Sequence, residues 1–234
     1  MILSGNQPTY LPSMRLFNRI AHSDVYMHCP HLQYQRKSFQ SHNFIKDAEL
    51  CVDCHVPSTP DNPFPSIGEV MISGDHWRRK HLRAIKHDYC GARYFEQYYS
   101  GLALILTKDW RMLTLLNQAL IEQICKWLEL TTRIVDSANW HWTGDATDKN
   151  IQMCKIMGAD VFLQSENAAK ENGGYMTYAE IDRMAEAGIK VIWQKFKPVY
   201  ALSRRNGGEL SIIHHLFVDG PSTRQLVFDS GAIV

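Results

Sequence analysis

Residues 133–194 read RIVDSANWHWTGDATDKNIQMCKIMGADVFLQSENAAKENGGYMTYAEIDRMAEAGIKVIWQ, and the pattern in this stretch decides the fold. Three short apolar runs occur at 133–136 (RIVD), 161–163 (VFL) and 190–194 (KVIWQ). Two helical segments separate them. Residues 145–157 form the first, with Gly158 placed to end it, and residues 177–187 form the second, ended by Gly188. Strands that alternate with helices read as βα units, and such units lay their strands parallel. The chain opens the same way. Residues 1–3 are a short apolar strand, and Met14, Leu16, Phe17, Ile20 and Ala21 lie close to a helical stripe within 13–21. Residues 24–27 (DVYM) are a second strand.

Between these portions the pattern is looser. Residues 28–45 are polar and irregular, 50–56 alternate like a strand, and Pro57, Pro60, Pro63 and Pro65 mark a loop. Residues 67–72 are a further strand candidate. Helices are expected at 77–86 and 92–100 and through a long helical region at 102–130, where Leu113, Leu116, Leu120, Ile124 and Trp127 recur at steps of three and four. Residues 165–174 and 204–208 read as loops, the first with room for a helical turn. Residues 210–217 read as a short helix that starts at Ser211. The simplest organisation is one α/β domain over 1–234. Its sheet is mostly parallel with flanking helices, and a β-rich insertion occupies about 28–75 in the N-terminal half.

The totals narrow the function classes. In 234 residues, 45% are apolar and 21% charged, an ordinary globular balance. A net charge of +1 gives no global field to recruit nucleic acid or an anionic membrane. No run approaches the ~20 apolar residues of a membrane span. The opening MILSGNQPTY lacks the charged start and apolar run of a signal peptide. The expectation is a cytoplasmic protein with a small-molecule substrate and no membrane partner, its six cysteines mostly reduced thiols.

The polar stretch 6–46 is the leading site candidate. Gln7-Pro8-Thr9-Tyr10-Leu11-Pro12 frames an aromatic between two prolines, and each proline is expected to hold the residue before it extended. Gln33, Tyr34, Gln35, Arg36, Lys37, Ser38, Gln40, Ser41, His42 and Asn43 follow in a dense run of donors. If the first two strands are neighbours, both polar loops leave the sheet on one side, and open α/β sheets bind ligands beyond the carboxyl ends of their strands.

Other motifs carry plainer alternatives. Cys51-Val52-Asp53-Cys54-His55 has the spacing of a c-type haem attachment site, a reading set aside because nothing points to export. Cys51, Cys54 and His55 are zinc candidates, joined by His28, Cys29 and His31 if their strands pair. Only one spaced pair is present, however, and buried structural cysteines are the plainer reading. Ser211 and His214 share a helix face as a nucleophile and base would, or as an N-cap and a surface histidine. Trp77 to Arg83 is a basic helix start that could meet phosphates, or a solvated face. No GxxxxGK[ST] or GxGxxG occurs, which argues against the usual nucleotide loops. The loop at 165–174 could cover a site.

These residues resemble the WbqC-like family. Gln7-Pro8-x-Tyr10-Leu11-Pro12, Ser23-Asp24-Val25, Gln33-Tyr34, Lys37 and Asn43-x-Ile45-Lys46 follow its opening pattern in order. Gly158-Ala159-Asp160, Pro198-x-Tyr200 and Leu210-Ser211-Ile212-Ile213, with Phe217 and Gly220, follow its later blocks. Departures at Ser13, Pro30, His42, Gln164-Ser165 and His214 mark a divergent member. The resemblance implies a bacterial protein tied to O-antigen and other surface glycans, and an enzyme that modifies an amino sugar or similar molecule by acyl or aminoacyl transfer. On that reading His214 is the general base and Lys37 an electrostatic clamp on the donor. Gln7, Tyr10, Gln33, Tyr34, Gln40, Asn43, Tyr200 and Ser211 are the substrate-binding residues. Two alternatives stay open: a transferase acting on a modified base in DNA, with the 77–83 helix on the backbone, and a non-catalytic ligand-binding module. The sequence names no cofactor, and a homo-oligomer stays open.

Overall fold

The computed structural model describes residues 1–198 and 209–234. Strand β1 (Ile2–Asn6), helix α1 (Met14–Ala21) and strand β2 (Val25–His28) come first. Four short strands follow, β3 (His42–Phe44), β4 (Glu49–Cys51), β5 (Cys54–His55) and β6 (Met71–Ile72). Helices α2 (His76–Tyr89), α3 (Phe95–Thr107) and α4 (Leu113–Trp127) come next. The chain then alternates β7 (Arg133–Asp136), α5 (Ala146–Met157), β8 (Val161–Ser165), α6 (Tyr178–Glu186) and β9 (Lys190–Phe196). Helices α7 (Ile213–Asp219) and α8 (Thr223–Asp229) and strand β10 (Gly231–Ile233) close it.

The fold is α/β. One six-stranded sheet has the order β10-β9-β8-β1-β2-β7. Its pairs are parallel except β10 with β9. Leu3 stands beside both Val25 and Phe162, which fixes the register across the centre. Successive side chains on a strand point to opposite faces. Leu3, Val25, Met27 and Phe162 therefore meet Met153 and Cys154 of α5 and Met184 of α6 on one side. Tyr26 points the other way, into a larger core with Phe17 and Ile20 of α1 and the apolar faces of α2, α3, α4 and α7. Helices on both faces cover the parallel strands, as buried parallel strands require.

The βα pattern of 133–194 and of the opening holds, and the β-rich insertion takes the form of two small ladders, β3 with β4 and β5 with β6. Three details differ from the sequence reading. The run 50–56 is broken into β4 and β5, which pair with different partners. The run 67–72 begins as a 3-10 turn, Ile67–Glu69, before β6. The helical region 102–130 is divided between α3 and α4. There the Trp110 indole N–H donates to the Ile105 carbonyl at 2.7 Å and folds the chain back after α3. Among the described residues no helix is long and apolar enough to cross a membrane.

Candidate functional site

From β1 the sheet grows through β2 to β7, and from β8 it grows the other way through β9 to β10. The neighbouring strands β1 and β8 therefore send their following segments apart, and the gap beyond their carboxyl ends is the topological switch point where open α/β sheets bind ligands. A cleft of about 480 Å³ lies there, lined by Asn6 and Gln7 after β1 and by Ser165 and Asn167 at the end of β8. Its size suits a small molecule.

The loop after β1 forms one wall and is tightly tied. Tyr10 N–H donates to the Phe39 carbonyl at 2.9 Å, and Ile212 N–H donates to the Pro12 carbonyl at 2.9 Å. Asn43, also in the cleft lining, donates its side-chain amide to the carbonyls of Tyr10 (3.0 Å) and Leu11 (2.6 Å). That double contact explains a departure from expectation. Leu11 precedes a proline and was expected to be extended, yet its φ is +42°. Asn43 gathers both carbonyls on one side and holds the turn. Gln40 is fully buried behind the same wall. Its amide donates to Gln7 Oε1 (2.8 Å) and to the Gln33 carbonyl (3.2 Å), and its Oε1 accepts from Gln35 N–H at 2.8 Å. Its backbone carbonyl accepts from the Asn117 side chain on α4 at 2.8 Å.

Helix α1 supplies the opposite wall. Arg15 and Arg19 are one turn apart, so they share a face, and both line the cleft. The Arg15 guanidinium grips one oxygen of Glu209 through Nε (2.9 Å) and Nη2 (2.5 Å) and lies over the Phe196 ring. Ser13 donates its hydroxyl to the other Glu209 oxygen at 2.6 Å. Arg19 is 6% exposed, and among the described residues its guanidinium meets only a neutral partner, Gln164 Oε1, at 3.2 Å. Burial pulls its pKa down from the ordinary arginine value. Among the described residues its Nε–H is buried without a hydrogen-bond partner, and so is the hydroxyl of Thr9, another lining residue.

Of the residues singled out in the sequence, Gln7 and Asn43 line this cleft and Gln40 backs it. The other described ones lie apart from its lining. Tyr10 is fully buried, and its hydroxyl meets His81 Nδ1 at 2.8 Å. The Tyr34 hydroxyl meets Ser41 Oγ at 3.0 Å. Gln33 is exposed and bridges to Ser66. Lys37 is exposed with φ +58°, two residues before Phe39 in the cleft rim. Ser211 is fully buried, and its N–H donates to the Phe44 carbonyl at 2.9 Å. His214 turns to the Tyr89 hydroxyl at 3.2 Å, and burial, with His215 nearby, lowers its pKa to about 4. Tyr200 and the loop at 204–208 lie outside the described residues.

Among the described residues no three His, Cys, Asp or Glu side chains gather as a metal site. The Cys51 and Cys54 thiols both face the Val52 carbonyl, at 3.8 and 3.3 Å, and His55 is exposed. His28 is buried against Thr114, and His31 bonds Ser137 at 2.7 Å. Trp77 and His81 point into the core while Arg79, Lys80 and Arg83 face solvent. The 165–174 loop contains two 3-10 turns, and its first residues reach the cleft.

Sequence reasoning missed Ser13, Arg15, Arg19, Thr9 and Glu209. The Arg15/Arg19 spacing on an amphipathic helix was the available signal, but it is equally that of a solvated face. The contacts that set the two arginines apart join residues 145 and 194 positions distant.

An uncharacterised protein of Mycobacterium tuberculosis, Rv1507c, is 26% identical over 189 residues, covering 80% of this chain and 79% of that protein. No solved structure matches the chain. The family model of the WbqC-like proteins matches residues 7–226, from the first residue of the proline-framed loop to α8. The chain therefore belongs to the WbqC-like protein family.

Proposed function

We propose that the protein is a group-transfer enzyme of the acyl or aminoacyl type. Its acceptor, an amino sugar or related small molecule, binds in the cleft between β1 and β8. The setting is the cytoplasmic assembly of bacterial surface glycans. The observation that supports this reading is the cleft's position at the reversal of strand order, with amide groups on one wall and a held carboxylate on the other. Transfer needs a group to accept the acceptor's N–H or O–H proton as its lone pair attacks the acyl carbon. The leaving group departs with the bonding electrons. Glu209 is the one acidic side chain among the described residues of the cleft lining, and Arg15 and Ser13 hold it in one orientation. In this reading Glu209, rather than His214, is the general base. The Gln7 side-chain N–H groups, which have no partner among the described residues, orient the acceptor's hydroxyls. Lys37 meets the donor's negative charge from the rim.

The test is a panel of acyl phosphates, acyl adenylates and aminoacyl esters offered with nucleotide-linked amino sugars, with the acceptor's mass gain read by mass spectrometry. Glu209→Gln should lower the rate by about a hundredfold or more. No product across the panel, or a wild-type rate in Glu209→Gln, would sink the proposal. The exposed cations Arg79, Lys80, Arg83 and Lys86 on α2 support a second reading, a DNA base as acceptor. A gel shift with duplex DNA at low salt decides it, and no retardation removes it.

A further inference from the structure

We infer that Arg19, with Thr9, forms an oxyanion subsite in the β1/β8 cleft that takes the phosphate or carboxylate group of the bound molecule. This deepens the reading of the cleft as a substrate site and rests on it. The first observation is a charge without a counter-charge. Arg19 is nine-tenths buried, yet no carboxylate among the described residues pairs with it. Its one bonded partner among the described residues, Gln164, is neutral and already engaged. Gln164 Oε1 also accepts from Ser165 N–H at 2.9 Å, and its amide donates to the Tyr175 hydroxyl at 3.3 Å. The groups near Arg19 that could ionise do not compensate. Burial raises the Tyr26 and Tyr175 phenols and pushes the Cys29 thiol up to about 12, so all three are neutral at physiological pH.

The second observation is that two unpartnered donors belong to residues of one cleft lining. Among the described residues the Arg19 Nε–H and the Thr9 hydroxyl are each buried without a hydrogen-bond partner, and both residues line this cleft. Buried donors without acceptors are unfavourable unless something completes them. A buried guanidinium is completed best by an oxyanion, whose lone pairs match its fork of N–H groups. Glu209 does not serve, because its carboxylate is turned to Arg15 and Ser13 and makes no bond with Arg19. The neighbouring guanidiniums therefore divide the labour. Arg15 steadies an internal carboxylate, and Arg19 keeps its charge and an unpaired Nε–H for the ligand.

The test titrates the purified protein at low ionic strength with inorganic phosphate, pyrophosphate and acetate, following the thermal midpoint. Wild type should show a saturable rise. Arg19→Gln should bind about tenfold or more weakly. Lys126→Gln, exposed on α4 and outside the cleft lining, should bind as wild type does. A response to the phosphates alone identifies a phosphoryl ligand, and an equal response to acetate identifies a carboxylate. No saturable shift with any anion, or full binding in Arg19→Gln, overturns the inference. Should Arg19→Gln fail to fold, the Arg19 Nε–H resonance of 15N-labelled wild type carries the test. It should move saturably with the anion, and a resonance unmoved at high anion concentration overturns the subsite. Arg19-dependent anion binding without any group transfer keeps the subsite and removes the transferase. Group transfer untouched by Arg19→Gln does the reverse.

Discussion

Asn43 is a side chain whose work is nearly all done on backbone. It donates to two consecutive carbonyls, Tyr10 and Leu11, and its Oδ1 accepts from Phe44 N–H at 2.7 Å. Asn43→Ala would leave both carbonyls without this donor in a buried setting. The expected cost is about 2–4 kcal/mol, read as a lower urea midpoint at unchanged slope. An unchanged midpoint would show that water replaces the amide at no cost. Because Asn43 also lines the cleft, the variant should weaken ligand binding as well, through the released turn at Leu11. The sequence flagged Asn43 as a binding residue on the density of polar groups around it. What it could not show is that the amide's hydrogens are committed to carbonyls thirty-odd positions earlier in the chain. Tyr10 is similar. Its hydroxyl looked available, but it closes a buried relay in which His81 Nδ1 accepts from it and His81 Nε2–H donates to the Cys51 carbonyl at 3.1 Å.

Among the elements, the βα units were the legible part, because each carries its own start and stop. Helix α5 begins at the Asp145 cap, which accepts from Asp148 N–H at 2.9 Å, and ends where Gly158 turns left-handed at φ +69°. That last feature is testable alone, since a Cβ on Gly158 would meet nothing within 4 Å. Gly158→Ala should therefore cost only the backbone strain, about 1–2 kcal/mol, with Gly158→Asn closer to wild type. Equal stability of all three would show that the turn relaxes out of the left-handed region. Elements whose identity depends on distant partners were less legible. β5 and β6 are too short to carry a periodic signal and exist by pairing with each other. Helix α8 and strand β10 were not read at all. β10 depends on β9, with which Trp193 and Val234 exchange backbone hydrogen bonds at 2.7 and 3.0 Å. Helix α1 was read correctly as an element, but its solvent-like cationic face turned out to be a cleft wall.

At the scale of the whole molecule, the buried histidines set the response to acid. His31, His81 and His214 are each lowered to about 4, chiefly by burial, and His28 and His215 are lowered for the same first reason. The unfolded chain binds protons on these rings near the ordinary value of 6.5, whereas the folded chain resists them until lower pH. Unfolding thus takes up protons across that window. Stability should be full above about pH 6.5 and fall steadily toward pH 4, seen as a declining urea midpoint. A flat profile across that range would contradict it. Tyr10→Phe, which removes the donor to His81, should lower the whole curve while the other four rings preserve its slope. The sheet order has a parallel consequence for the site. Reversal at β1 and β8 brings the loop at 7–12, the helix α1 and the segment at Glu209 around one gap, though they come from opposite ends of the chain. Gln40 adds the last constraint. Its amide and carbonyl are satisfied by Gln7, Gln33, Gln35 and Asn117 before any ligand arrives. This wall, irregular in backbone, has little freedom left to lose. Capture of a ligand against it should proceed as docking onto a preorganised surface, with affinity limited by contacts and desolvation rather than by the ordering of a loop.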